Sequence, residues 1–384
     1  MREGDPLGAP AVSGGELISV IVPGMVSAFG VFWMTQYIRE ALPYELIMVG
    51  VVDATLPLLV LFAVAGREGG KGDSIWDVFA REPGAIVDGS NIDVACDSYH
   101  RIDEDVALRK ELSVGTFRFS VSWARVMPDG RTLNEEGLAY YERLGDRVDM
   151  WTTLNEPWCS SLLSYAGGER ALSHTDPDEA VAAARRIDGT ASRLFLDPIF
   201  RGAYPEDVVA DVSAPDPADR SPLVSFNAQG RPRRSPNVGS ERVRWVSRGL
   251  PRTSMDWEVG PDDLRILLTR LDREYTGPAG IPLVVTENGA AYDDVPDASG
   301  YVDDSGDRLL YIRDHLAAVH AAIAEGANVA GYLEWSLLDN FEWAHGYTKR
   351  FGIVRVDYDS QRRTPKASAL WYRDVMKNNA LDVD

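Results

Sequence analysis

From Gly70 onward, apolar residues recur at helical spacing in some stretches and at every second position in others. Asp97–Leu112 sets its apolar residues among charges at helical spacing. Asp178–Ile187, Asp262–Arg270 and Leu309–Ala324 read as amphipathic helices, and Thr364–Met376 as a closing one. Phe117–Trp123 (FRFSVSW) alternates as a strand does, and Val329–Trp335 is a further strand candidate. Asp149–Leu154 and Leu283–Thr286 are short β-rich runs, each ending in a polar cluster. Strands alternating with helices predict βα units around a parallel sheet, hence an α/β fold. In a βα barrel, functional residues sit where strands end and loops begin, and the polar clusters fall at those ends. Asp211–Pro251, rich in Pro, Ser and Arg, is expected to be a long loop.

The opening residues follow another pattern. Leu17–Met34 is eighteen residues without a charge, and Leu46–Ala65 is nearly as apolar, broken by Asp53 and Pro57. Each is near the lower length limit for a membrane span, so two readings stand: a membrane-associating segment or a buried one. A secretory signal fits poorly, because the leader MREGDPLGAPAVSGGE carries more acid than base. Residues 1–66 are therefore set apart from a domain over residues 67–384.

Composition narrows the choice of function. A formal net charge of −20 repels phosphate backbones, so nucleic-acid binding is not expected. Hydrophobic content of 45% and charged content of 26% are those of a globular protein. Cys96 and Cys159 are the only cysteines, too few for a disulfide framework, which favours a reducing compartment, the cytoplasm. The five histidines show no ligand spacing, and Gly66–Asp73 (GREGGKGD) lacks the context of a phosphate loop. No metal and no cofactor are expected.

Two glutamates stand at predicted strand ends. Thr153-Leu154-Asn155-Glu156-Pro157 and Val285-Thr286-Glu287-Asn288-Gly289 each place a carboxylate after an apolar run, beside an amide and a chain breaker. Two carboxylates facing one pocket suit glycoside cleavage: one protonates the leaving oxygen, the other attacks the anomeric carbon or activates water. Either motif alone is more simply a solvated turn.

The wider sequence resembles the family 1 glycoside hydrolases, the retaining β-glucosidases. WTTLNEPW and VVTENGAAY resemble that family's two signature segments, as do Ser74–Gly84, Asp93–Gly130, Leu196–Val208 and Gly331–Val375, in the family's order. The resemblance implies a (β/α)8 TIM barrel. It implies Glu156 as general acid/base and Glu287 as nucleophile, with Arg118 beside Glu287 favouring its charged form. It implies that Asn155 bonds the sugar 2-hydroxyl, and that Trp335, Glu342 and Trp343 shape the pocket for a β-glucoside or short oligosaccharide. The plainer alternatives are a surface arginine for Arg118 and core packing for the tryptophans.

The family's pattern is broken in places. Its Gln-Ile-Glu-Gly segment on the first strand and its His-Trp pair on the third have no counterpart, and the fifth strand is lost after Tyr165. Strands 1, 3 and 5 are thus expected to be missing, which exposes edges and is expected to impair turnover. Val22–Ala54 resembles the inner-membrane permease of sugar ABC transporters, although two spans at most cannot form a permease. A non-catalytic carbohydrate-binding remnant and a membrane-associated fusion fragment, attached through residues 17–65, therefore stay open as alternatives. The sequence assigns no oligomeric state, preferred sugar or aglycone.

Overall fold

The computed structural model describes residues 66–119, 121–145, 193–206, 225–226, 232–233 and 248–381. The expected strand Asp149–Leu154, the expected helix Asp178–Ile187, the apolar residues 17–65 and the first signature segment lie outside them. Along the chain come helices α1 (Ile75–Phe79), α2 (Ile102–Glu111), α3 (Trp123–Val126), α4 (Glu135–Gly145) and α5 (Leu194–Arg201). Strands β1 (Ser225–Phe226) and β2 (Pro232–Arg233) pair antiparallel within the expected loop. Helix α6 (Pro261–Leu271), strand β3 (Leu283–Asn288), helix α7 (Arg308–Ala324) and strand β4 (Val329–Glu334) follow. Strands β5 (Val354–Asp357) and β6 (Arg362–Pro365) and helix α8 (Ala367–Asn378) complete the order.

Residues 261–334 form the unit that the hydrophobic pattern predicted most closely. Helix α6 starts with Pro261 in its first turn, where a missing N–H costs nothing, followed by Asp262 and Asp263 against the positive end of the helix. Strands β3 and β4 run parallel, with α7 as the connecting helix, a βαβ unit. Leu268 of α6, Val285 of β3, and Val319 and Ala322 of α7 bury their side chains together, with Leu283, Val329 and Tyr332 packed against them. The ladder matches Leu283 with Val329 and Asn288 with Glu334, but its register shifts between Val285 and Asn288.

Two expectations change. Phe117–Trp123 has no ladder among the described residues, and Trp123 opens α3 instead. A strand needs a hydrogen-bonded neighbour, which periodicity alone does not supply. The closing helix begins at Ala367, not Thr364, because Arg362–Pro365 pairs back on Val354–Asp357 as a hairpin. A residue preceding proline is disfavoured in the helical region, which holds Thr364 extended.

The early segment docks on the loop after β4. Trp76, Phe79, Ile86 and Ile92 share a buried cluster with Phe341 and Trp343. Val87 N–H donates to the Ala344 carbonyl at 2.8 Å, and Tyr347 N–H donates to Asp88 Oδ2 at 2.9 Å. A second link comes from Arg363 of β6, whose Nε donates to Asp105 Oδ1 of α2 at 2.9 Å. Among the described residues no helix is long and apolar enough to cross a membrane.

Candidate active site

Glu287 lies in the last turn of ladder on β3, inside the stretch where register with β4 shifts. A bulge re-aims a side chain that a regular ladder would fix by its neighbours. The Glu287 carboxylate is ion-paired with Arg118 Nη1, across 169 positions of sequence, and both side chains are largely buried. The flanking residues Phe117 and Phe119 stack on each other at 6.5 Å. The Arg109 guanidinium lies 4.2 Å over the Phe117 ring and ties that segment to α2. The sequence expectation that Arg118 stands beside Glu287, rather than on an open surface, matches this geometry.

The residue after Glu287 is held from three directions. The Asn288 carbonyl accepts from Trp335 N–H at 2.9 Å. Its side chain bonds Tyr332 Oη at 2.7 Å and Tyr311 Oη at 3.3 Å. Tyr311 stacks on His315 at 3.9 Å, and burial lowers the His315 pKa, favouring a neutral ring. Where the ladder fails, this side-chain clamp takes over the placing of the end of β3. Gly289 follows with its Cα against the Trp335 carbonyl, where a Cβ would collide.

The remaining candidates occupy one loop. Trp335 is partly exposed and packs against the cluster of Trp76 and Phe341. Trp343 is 7% exposed and meets Trp76 at 4.6 Å, so it is part of the core as well as of the loop. Glu342 is buried, and its N–H donates to the Gly346 carbonyl at 2.7 Å. The backbone link Trp335–Asn288 and the shared cluster join this loop to the end of β3. Asn155 and Glu156 lie outside the described residues.

A balanced set of buried charges supports that loop. Asp339 accepts from Lys366 Nζ at 2.9 Å, Arg350 Nη1 at 2.7 Å and Gly352 N–H at 3.1 Å. Asp294 meets Lys366 at 2.5 Å and Arg308 at 3.1 Å, and Asp304 meets Arg308 at 2.5 Å. Three aspartates and three cations thus neutralise one another out of water, a condition for burying charge at all. Sequence reasoning missed this network and the Asn288 clamp. Arg308 and Lys366 each open an apolar or small-residue run, LLYI and ASAL, but further charges precede both, so nothing in the local sequence marks them as buried. Among the described residues no group of three or more His, Cys, Asp or Glu could hold a metal ion.

Comparison with known proteins places this geometry in context. The family model described as Glycosyl hydrolase family 1 matches residues 63–147 and 223–381. Arg118, Glu287, Trp335, Glu342 and Trp343 fall inside those spans, and Asn155 and Glu156 fall between them. Thermostable beta-glucosidase B of Thermobispora bispora is 35% identical, with 83% of this chain and 88% of that protein covered. The psychrophilic beta-glucosidase BglU of Micrococcus antarcticus is similar in structure, with TM-score 0.75 and 36% identity over 90% of this chain and 99% of that one. The beta-glucosidase of Thermotoga maritima in complex with deoxynojirimycin has TM-score 0.71 and 29% identity, covering 84% and 97%.

Proposed function

Because the chain belongs to glycosyl hydrolase family 1, a family of (β/α)8 barrels, we propose that it works as a retaining β-glucosidase on terminal β-D-glucosyl residues. The observation that carries the mechanism is the Arg118–Glu287 ion pair at the end of β3. A guanidinium against the carboxylate favours the ionised form, which a nucleophile needs. Glu287 attacks the anomeric carbon while Glu156 gives its proton to the departing glycosidic oxygen, leaving a covalent glycosyl-enzyme. Glu156 then takes a proton from water, and that water displaces Glu287. Asn155 bonds the sugar 2-hydroxyl. Trp335, Glu342 and Trp343 close the glycone side, where an aromatic face covers the apolar side of a pyranose.

Substrate chemistry follows from the relatives: a β-glucoside or short oligosaccharide, bound as the Thermotoga maritima enzyme binds deoxynojirimycin. No cofactor enters the reaction. The barrel lacks strands 1, 3 and 5, and turnover is reduced in consequence. Two findings support that reading. The family match is interrupted over residues 148–222, and the alignment to the Thermobispora bispora enzyme runs over 427 positions, more than this chain has residues. The same interruption, which spans Asn155 and Glu156, favours a second reading, a non-catalytic sugar-binding remnant that holds a sugar through Trp335, Glu342 and Trp343 without turnover. Residues 1–66 form a separate segment with permease-like text and the capacity to associate with a membrane. The domain over residues 67–384 resides in the cytoplasm, a reading supported by a cysteine count of two, too few for a disulfide framework.

Release of p-nitrophenol from its β-glucoside tests the activity. Folded wild-type protein hydrolyses it, and Glu287→Ala lowers kcat by at least about 10⁴-fold. Azide, entering the space left by the carboxylate, restores part of that loss. A folded wild type without turnover, but with a heat of binding for glucose, would select the remnant.

A further inference from the structure

One hydroxyl in the clamp has more acceptors than protons. Tyr332 Oη lies 2.7 Å from Asn288 Oδ1 and 2.9 Å from Glu334 Oε2. A phenol has a single hydrogen, and an amide oxygen and an ionised carboxylate only accept. If Tyr332 donates to Asn288, the second contact needs its own proton, and Glu334 is the group placed to carry it. The donors then run in one direction: Glu334 O–H to Tyr332, Tyr332 O–H to Asn288 Oδ1, and Asn288 Nδ2–H to Tyr311.

We propose that Glu334 is held as a neutral carboxylic acid and acts, through Tyr332, as a positioning residue for Asn288 and so for the neighbouring nucleophile. The reaction that it serves rests on the β-glucosidase reading given above.

The surroundings agree. Glu334 Oε1 is buried with no hydrogen-bond partner among the described residues, a costly place for half of a negative charge. Tyr332 of β4, Tyr311 of α7 and Tyr372 of α8 face the carboxyl, and burial pushes all four groups upward in pKa. Among the described residues the cation acting on it is Arg308, which is already committed to Asp294 and Asp304. Turning the Asn288 amide over would let Tyr332 donate to an ionised Glu334. That carboxylate would keep one bond and leave Oε1 bare, the less favourable arrangement.

Infrared spectroscopy reads the proton directly and needs no turnover. The spectrum of wild type minus that of Glu334→Gln, in deuterium oxide at neutral pH, is expected to contain the C=O stretch of a protonated carboxyl. A carboxylate band in its place overturns the proposal, whatever the enzyme hydrolyses. Kinetics read the positioning. Glu334→Leu removes the donor and lowers kcat about tenfold with KM unchanged, the size of one lost hydrogen bond. Glu334→Gln keeps an N–H for Tyr332 and restores most of that loss, at a thermal stability matched to wild type. Equal kcat in the Leu and Gln variants would overturn the positioning role.

Discussion

Between residues 294 and 366, Arg308, Lys366, Asp294, Asp304 and Asp339 exchange ion pairs in which every side chain is at most 4% exposed. Between residues 67 and 104 one pair, Lys71–Asp77, is likewise buried, but Arg67–Asp73, Arg101–Glu104 and His100–Glu68 stand largely in water. The same residue types serve different ends. A buried pair is stabilising only while every member is matched, so it locks one geometry; an exposed pair is screened and replaceable. The segment after β3 and the loop of Glu342 and Trp343 hang from the first kind. The segment of Arg118 is placed by aromatic packing and by its bond to Glu287. The Arg118–Glu287 ion pair therefore joins a rigidly held partner to one held by fewer contacts.

The largest effect expected of that contrast comes from Asp339. Asp339→Ala leaves Lys366 and Arg350 without their shared acceptor, and unpairing buried charge costs about 3–5 kcal/mol. Chemical denaturation should show a loss of that size, with Asp339→Asn milder. A loss below about 1 kcal/mol would mean that water enters the network and that the two regions do not differ in kind.

Arg118→Gln comes next, and acts on catalysis more than on folding. Removing one preorganised charge from the reacting centre costs about 10²–10³-fold in kcat. Thermal unfolding should move little, since the segment keeps its Phe117 and Phe119 packing. A change in KM alone would assign Arg118 to substrate binding.

The smallest effect is at His100, whose pKa is raised first by Asp97 and then by Glu68. A folded-state pKa above the ordinary value of 6.5 stabilises the fold fully below that value. The contribution is lost as pH rises through the higher, folded value. The difference in Tm between wild type and His100→Gln should shrink from pH 6 to alkaline pH and fall with added salt. A difference that ignores pH would show that the imidazole acts by packing.

Much of the βαβ unit was legible beforehand. Asp262–Arg270, Leu309–Ala324 and Val329–Trp335 were found within two residues because each buries one face, and burial of a face writes a period into the sequence. Glu287 was legible for the same reason, since a polar cluster after an apolar run marks a strand end. Phe117–Trp123 was not, because a strand's pairing depends on neighbours elsewhere in the chain, which alternation in sequence does not carry. The hairpin Val354–Pro365 went unread although V-R-V-D alternates, since four residues are too few to outweigh the helical pattern that follows.

Local order came from the sequence alone: where chain segments turn helical or extended, and which carboxylate is offered at a strand end, are settled by periodicity and by residues within a few positions. Tertiary structure alone decided which distant groups answer one another. Arg118 meets Glu287, Asp339 meets Lys366, and Glu334 shares a phenol with Asn288, because electrostatic and hydrogen-bond energies depend on distance in space and on exclusion of water. Neither quantity is carried by spacing along the chain.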